Sequence, residues 1–437
     1  MEKLLKMAER VADEAEVFYH EYDASSISIR DEDLREVEST IQIGYAIRLI
    51  KNGRLGAAYT KNLLDREQVI KNALASLKGG MEAGYHFPEP SKIPHIDQYD
   101  KSVESLTFSD LHDACKGIIS FFKGKTRGQI DCAAGFVREK HRIINTRGVD
   151  YTHRETNVAI IPQLLYPNTE TSVYNYYIFQ RLKLPRETEL QQILDTYNAS
   201  LPEVKVEPGK MKVMFQDNSI YVLLWRLMTG TSGKSVYANT SPLIDRIGDA
   251  VLGENITIYN DPLDTELLGA SAFDDEGVPT KKVELFSNGI LKNYHADLYY
   301  ASKLKIEPTG TGERGAGMFG GDPVTSLPES SPRHIRFAPG DTSYDEMMRL
   351  ITHGVVVAGA LGAHSGNIMN GDFSIGVNPG FVVKDGDIVG RVKDGMISGN
   401  VYSLFKKVTA IENKIHNPDS AFKYPCILFD DVALATK

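Results

Sequence analysis

Apolar and polar positions alternate with period two along much of this chain, and stretches of period 3.6 interrupt the alternation. The helical period appears first over 2–14. Strand-like runs follow at 16–22, 26–30 and 41–50, and the last of these reaches Asn52-Gly53, a strong hairpin signal leading into a strand over 54–60. A helix is expected over 65–77, stopped by Gly79-Gly80, and a proline-rich run over 87–94 reads as a linker. A helix over 109–122 leads into long alternating strands between 129 and 184, and a further helix falls within 185–201. From Lys210 onward the pattern is one of glycine-bounded strands. Within it, Ser343-Tyr344-Asp345-Glu346 has the spacing of a capping box, whose helix should end by Gly354 ahead of a buried strand over 355–358. The expected class is α+β, in three parts: an N-terminal α+β domain at 1–125, a strand-rich middle domain at 126–205 and a large β-rich C-terminal domain at 206–437.

Composition removes whole classes of function. With 437 residues and 42% hydrophobic content the chain can bury a sizeable core. A net charge of -9 argues against a nucleic-acid surface, which needs clustered Lys and Arg to displace counterions. The aromatic run from Val173 to Phe179 therefore reads as cross-strand packing rather than a base-stacking platform. No apolar run approaches the roughly 18 residues of a spanning helix, and the amino terminus carries acids on every turn, unlike a signal peptide. Cys115, Cys132 and Cys426 are too scattered for a disulfide framework or a thiolate cluster. No membrane, no nucleic acid and a cytoplasmic location are the expectations.

Few motifs carry chemistry. Phe273-Asp274-Asp275-Glu276-Gly277-Val278-Pro279-Thr280 sets three acids before a glycine and a proline. Such a loop is either a solvated turn, the commoner use of these residues, or an acidic corner held for a purpose. Ser232-Gly233-Lys234-Ser235 imitates the end of a phosphate loop, but Met228 stands where its first glycine is needed. The helix or strand over 221–228 does not rescue it. The glycine-rich stretches 310–321 and 359–366 lack the following helix of a dinucleotide site. Among the eleven histidines no pair has zinc-helix spacing; His141 with His153, and His353 with His364, could meet only through tertiary folding. No serine sits in a Gly-x-Ser-x-Gly elbow.

An ordered series of short motifs nevertheless resembles one family. Gly209-Lys210-Met211-Lys212-Val213, Asn260-Asp261-Pro262, Phe273 to Thr280, Asn288-Gly289-Ile290-Leu291, Pro308-Thr309-Gly310, Gly371-Asp372-Phe373-Ser374 and Ile397-Ser398-Gly399-Asn400 occur in the order seen in the TldD/TldE (PmbA) proteins, once described as modulators of DNA gyrase. The resemblance implies a heteromeric zinc protease in which a TldD-type subunit carries His-Glu-x-x-x-His on a helix and a later cysteine ligand. Here Trp225, Arg226 and Gly230 stand at the corresponding helix positions, and Cys426 lies too near the end to match the cysteine. The chain thus resembles the TldE partner: no catalytic residue and no metal of its own, with zinc expected in a TldD-type catalytic subunit and unfolded peptide as substrate. A homodimer in isolation stays open, and peptide-contacting residues are not assigned. Asp274, Asp275, Glu276, Gly277, Gly371 and Asp372 are carried over as shared architecture or chamber lining. Two other readings remain: a binding protein acting on gyrase or its inhibitors, and a stand-alone hydrolase with unconventional metal ligands.

Overall fold

The computed structural model describes residues 1–315, 320–415, 419 and 423–436. Helix α1 (Glu2–Ala8) is shorter than the sequence pattern predicts. The chain turns extended by Glu14 because Glu14 already pairs with Ile50. Strands β1 (Glu14–Arg30) and β2 (Asp33–Lys51) form one long hairpin, merging the separate runs expected at 16–22 and 26–30. β2 turns through Asn52 (φ 50°) and Gly53 (φ 69°), the two left-handed positions of a tight hairpin, into β3 (Arg54–Thr60). Helix α2 (Arg66–Ser76) starts where the Asp65 carboxylate accepts the Gln68 amide, and α3 (Phe108–Phe122) starts at a Thr107/Asp110 capping box.

Strands β4 (Ile130–Asn145) and β5 (Asp150–Leu165) complete the first sheet, ordered β3-β2-β1-β4-β5 with two short strands, Ser172–Tyr174 and Tyr177–Phe179, against β5. The β1–β4 register runs from Glu16↔Asn145 to Arg30↔Asp131, so one sheet crosses the boundary expected at 125/126. Helix α4 (Glu187–Ala199) then leads into a ten-stranded mixed sheet. At its centre Gly209–Phe215 lies between His353–Val357 and Ile427–Thr436.

Both faces of that centre are buried. Val213 and Phe215 point into one core with Val355 and Val357, while Met214 and Val356 point into another. The period-two geometry of a strand makes this division automatic. The second core includes Leu111 and Ile118 of α3, Leu190 and Ile193 of α4, and Phe136 and Val158 of the first sheet. The two helices are therefore sandwiched between the two sheets. On the opposite face of the large sheet lies α5 (Asp217–Thr231), which settles the helix-or-strand ambiguity at 221–228 in favour of helix. The molecule is α+β.

Candidate functional site

The acidic loop is not a solvated turn: Asp274, Asp275 and Glu276 are all buried. Its shape follows from its residues. Asp274 Oδ1 accepts the amides of Glu276 (3.0 Å) and Val278 (2.9 Å), and Gly277 takes the left-handed angle (φ 75°) that closes the turn. Asp274 Oδ2 accepts the Gly312 amide at 2.7 Å, and Asp275 Oδ2 accepts that of Arg314 at 2.8 Å. Backbone donors thus hold both aspartates.

Glu276 joins the two halves of the protein. Its Oε1 accepts Arg48 Nη1 at 2.8 Å and its Oε2 accepts the Leu298 amide at 2.7 Å. Arg48, on β2, also grips Glu16 of β1 with Nε at 2.9 Å and Nη2 at 2.7 Å, a bidentate pair that fixes both side chains. Arg314 adds Nη2 to Glu16 at 3.4 Å and Nη1 to the Ser326 carbonyl at 2.7 Å. Aromatic faces cover the cations: Phe87 lies 5.2 Å from the Arg48 guanidinium, and Phe18 lies 4.6 Å from that of Arg314. Relative exposures of 0% for Glu16, 2% for Arg48, 2% for Glu276 and 2% for Arg314 make this a dry ionic junction.

The electrostatics follow from that dryness. Burial, reinforced by Asp297 and opposed by Arg48, pushes the Glu276 carboxyl up to about 7. Burial and the neighbouring Glu276 raise Asp274 as well. Burial and the adjacent Arg48 lower Arg314 to about 10, whereas Glu16 and Glu276 outweigh the burial of Arg48 and hold it firmly charged. A carboxyl raised in the folded state stabilises most when protonated. The wild-type protein should therefore lose stability as pH rises from about 4.5 to about 7. Glu276→Gln removes this slope, so the stability difference should move in favour of the variant by on the order of 3 kcal/mol across that window. Urea denaturation midpoints at pH 4.5, 6 and 7.5 measure it; a constant difference would contradict the assignment.

The second predicted cluster lies on α5. Arg226 is fully buried and donates to four backbone carbonyls: Val222 (2.8 Å), Ala363 (3.0 Å), Ser365 (2.7 Å) and Asp372 (2.7 Å). Asp372 in turn accepts Asn400 Nδ2 at 2.8 Å through its side chain. Gly230 is a glycine of close approach, since a Cβ there would collide with the Tyr402 hydroxyl; the Tyr402 ring also packs against Gly371. Trp225 is partly exposed. The structure thus brings Trp225, Arg226 and Gly230 together with Gly371 and Asp372, and sets Asp274 to Gly277 apart at the junction of the sheets. The segment 295–298 connects the two clusters. His295 donates from Nε2 to the Met228 carbonyl at 2.8 Å, and the Leu298 amide reaches Glu276.

These residues do not fit zinc. Arg226 is a cation already committed to carbonyls, the Trp225 indole is no ligand, and a tyrosine ring fills the space beside Gly230. Among the described residues no group of three or more His, Cys, Asp or Glu side chains could hold a metal ion. His141 and His153 do meet, as facing residues of β4 and β5 with rings 5.1 Å apart, and burial pushes His141 down to about 4. Cys426 is buried, with its thiol raised by that burial. Lys234, from the imitation phosphate loop, pairs with Glu329 at 3.0 Å.

Sequence reasoning missed Glu16, Arg48 and Arg314. The only signal was a lone charge inside an apolar run, as in Tyr45-Ala46-Ile47-Arg48-Leu49-Ile50.

The motif series and this architecture agree with the comparisons. The family described as the PmbA/TldA metallopeptidase C-terminal domain matches residues 208–436, and its companion, domain 1, matches 15–77. The chain belongs to the PmbA/TldD metallopeptidase family. An uncharacterized protein of Methanocaldococcus jannaschii, MJ0231, is 27% identical over 97% of this chain and 98% of its own length. A zinc metalloprotease TldD homolog of Saccharolobus solfataricus is 24% identical over 94% and 91%. The crystal structure of TldE from Thermococcus kodakarensis superposes with a TM-score of 0.87 at 24% identity, covering 100% of this chain and 99% of that one, which establishes the shared PmbA/TldD fold. Among the described residues no helix is long and apolar enough to cross a membrane.

Proposed function

We propose that this chain is the non-catalytic, TldE-type subunit of a heteromeric peptidase. A TldD-type partner supplies the zinc centre, and unfolded peptide is the substrate. The observation that carries this reading is the engagement of Arg226 with four carbonyls at the point where the family's zinc helix would present a general base. Metallopeptidase chemistry needs metal, water and base held together. An arginine locked to backbone oxygens supplies none of these, and Tyr402 blocks a side chain at Gly230. Asp274, Asp275, Glu276 and Gly277 serve the architecture by fastening the first sheet to the C-terminal domain, and Gly371 and Asp372 serve it by seating against Arg226 and Tyr402.

The test mixes the separately purified chain with a TldD-type subunit from the same source and follows cleavage of an unstructured peptide. The mixture is expected to cleave, chelator is expected to abolish cleavage, and either subunit alone is expected to show less than a tenth of the mixed rate. Full-rate cleavage by this chain alone would overturn the reading, as would full-rate cleavage by the partner alone.

A further inference from the structure

A cleft of about 590 Å³ lies where the first sheet meets the C-terminal domain, the size and the kind of place that ligand sites favour. Two strands that end their sheets contribute to it. Tyr177–Phe179 pairs with β5 alone and supplies Ile178 and Phe179. Ile335–Phe337 pairs with Ile258–Asn260 alone, closes one side of a four-stranded sheet and supplies Ile335. Among the described residues no strand pairs with the far side of either. A strand edge offers unpaired amides and carbonyls, which an extended polypeptide can meet with its own. Leu267 and Leu268 extend the apolar wall.

The charge of this cleft runs against that of the chain. Arg181, Lys183, Arg333 and Lys423 line it with only Asp100 and Glu266 to answer them, whereas the whole chain carries -9. Both acids are engaged elsewhere. Asp100 accepts the Ser102 amide at 2.9 Å and its hydroxyl at 2.7 Å, and the largely exposed Glu266 reaches Arg336 at 3.4 Å. Arg181 is exposed and forms no ion pair among the described residues. Lys183 holds Asp419 at 2.9 Å with its ammonium 4.4 Å from the Phe179 ring. Arg333 meets Glu313 through Nε, and its side chain is half exposed. The surroundings register the excess: burial lowers the Lys423 ammonium, opposed by Asp419 and reinforced by Arg336 and Lys183. Apolar walls suit a polyanion poorly. Guanidinium and ammonium groups beside aromatic and leucine side chains suit a carboxylate carried on an apolar body.

We propose that this cleft binds a carboxylate of an extended polypeptide, with Arg181 and Lys183 receiving the charge and the two end strands flanking the backbone. This rests on the peptidase reading above, since it names the group by which the unfolded peptide is held.

Short rhodamine-labelled peptides of glycine, serine and leucine supply the test: one with a free C-terminal carboxylate, one amidated, and one amidated with an internal glutamate. In anisotropy titrations of the wild-type chain, at least one carboxylate peptide is expected to bind at least tenfold tighter than the neutral amide, the tighter naming terminus or side chain as the source. Arg181→Ala with Lys183→Ala is expected to erase that preference. Both side chains are exposed, and Arg181→Ala alone, which breaks no ion pair among the described residues, is expected to weaken it at least threefold with an unchanged urea midpoint. Equal binding of the three peptides would overturn the assignment, as would no binding, a preference that survives the double substitution, or an oligothymidylate of the same length bound more tightly. Cleavage by the mixture with a TldD-type subunit keeps the two readings apart. If the mixture cleaves all three peptides while the cleft prefers none, the peptidase reading stands and the carboxylate site falls.

Discussion

Replacing Arg48 with methionine is expected to lower the stability of the chain by about 3–5 kcal/mol at neutral pH, the cost of breaking a buried ion pair from one side. Arg48 makes three charge-assisted bonds, two to Glu16 and one to Glu276, and all three residues are at most 2% exposed. Methionine keeps much of the volume but leaves the Glu16 carboxylate without its cation in a dry site, while Glu276, already raised to about 7 with Arg48 present, takes up a proton. Arg314 compensates little: its contact with Glu16 is 3.4 Å long and its other end is committed to the Ser326 carbonyl. Because Glu276 belongs to the C-terminal domain and Glu16 to the first sheet, the loss should also loosen the junction, raising hydrogen exchange in 271–280 before the remainder. Adding Glu16→Gln to Arg48→Met should recover part of the loss, since one orphaned charge disappears with it. Equilibrium denaturation of the single and double variants makes the comparison. A single-variant loss below 1 kcal/mol would show that the junction is held by packing alone.

This junction also marks where sequence reading stops. Local chemistry was legible wherever a short segment determines its own shape. Asn52-Gly53 closes its hairpin because both positions take positive φ, and Ser343 caps its helix by accepting the Glu346 amide while the Glu346 carboxylate returns the favour. The acidic loop was legible as a turn but not as a buried one. What buries Glu276 is an arginine 228 positions away, and no local pattern records that distance. Alternation does not reveal Glu16 and Arg48 either: nothing local shows that the face carrying them is closed by Phe87 and the C-terminal domain. α5 was ambiguous for a related reason. Ile220, Val222, Leu223, Leu224, Arg226 and Leu227 are all buried, so the helix shows no polar stripe by which period 3.6 could be recognised. Trp225, Arg226 and Gly230 became informative only through the family resemblance, and the structure then supplied the contacts that explain them.

Arg226→Met is expected to cost about 3–4 kcal/mol and to act locally in the loop that reaches Asp372. The side chain satisfies carbonyls of Val222, Ala363, Ser365 and Asp372, and leaving a buried acceptor unpaired costs roughly 1–3 kcal/mol each, partly recovered when a carbonyl turns to water. Val222 lies on α5 itself, so its carbonyl retains the helix. The other three belong to the 363–372 loop, whose path depends on the guanidinium. Hydrogen exchange should therefore rise over 363–372 by at least tenfold, while the central strand Gly209–Phe215 keeps its protection. Arg226→Lys is expected to recover little, because one ammonium cannot span acceptors that a planar fork reaches together. If lysine restored both stability and exchange, charge rather than fork geometry would be what matters at this position. If exchange in the loop did not change in the methionine variant, the loop would be held by Asn400, Gly371 and Tyr402 without the arginine. The reading of α5 as a helix that secures structure in place of chemistry would then lose its support.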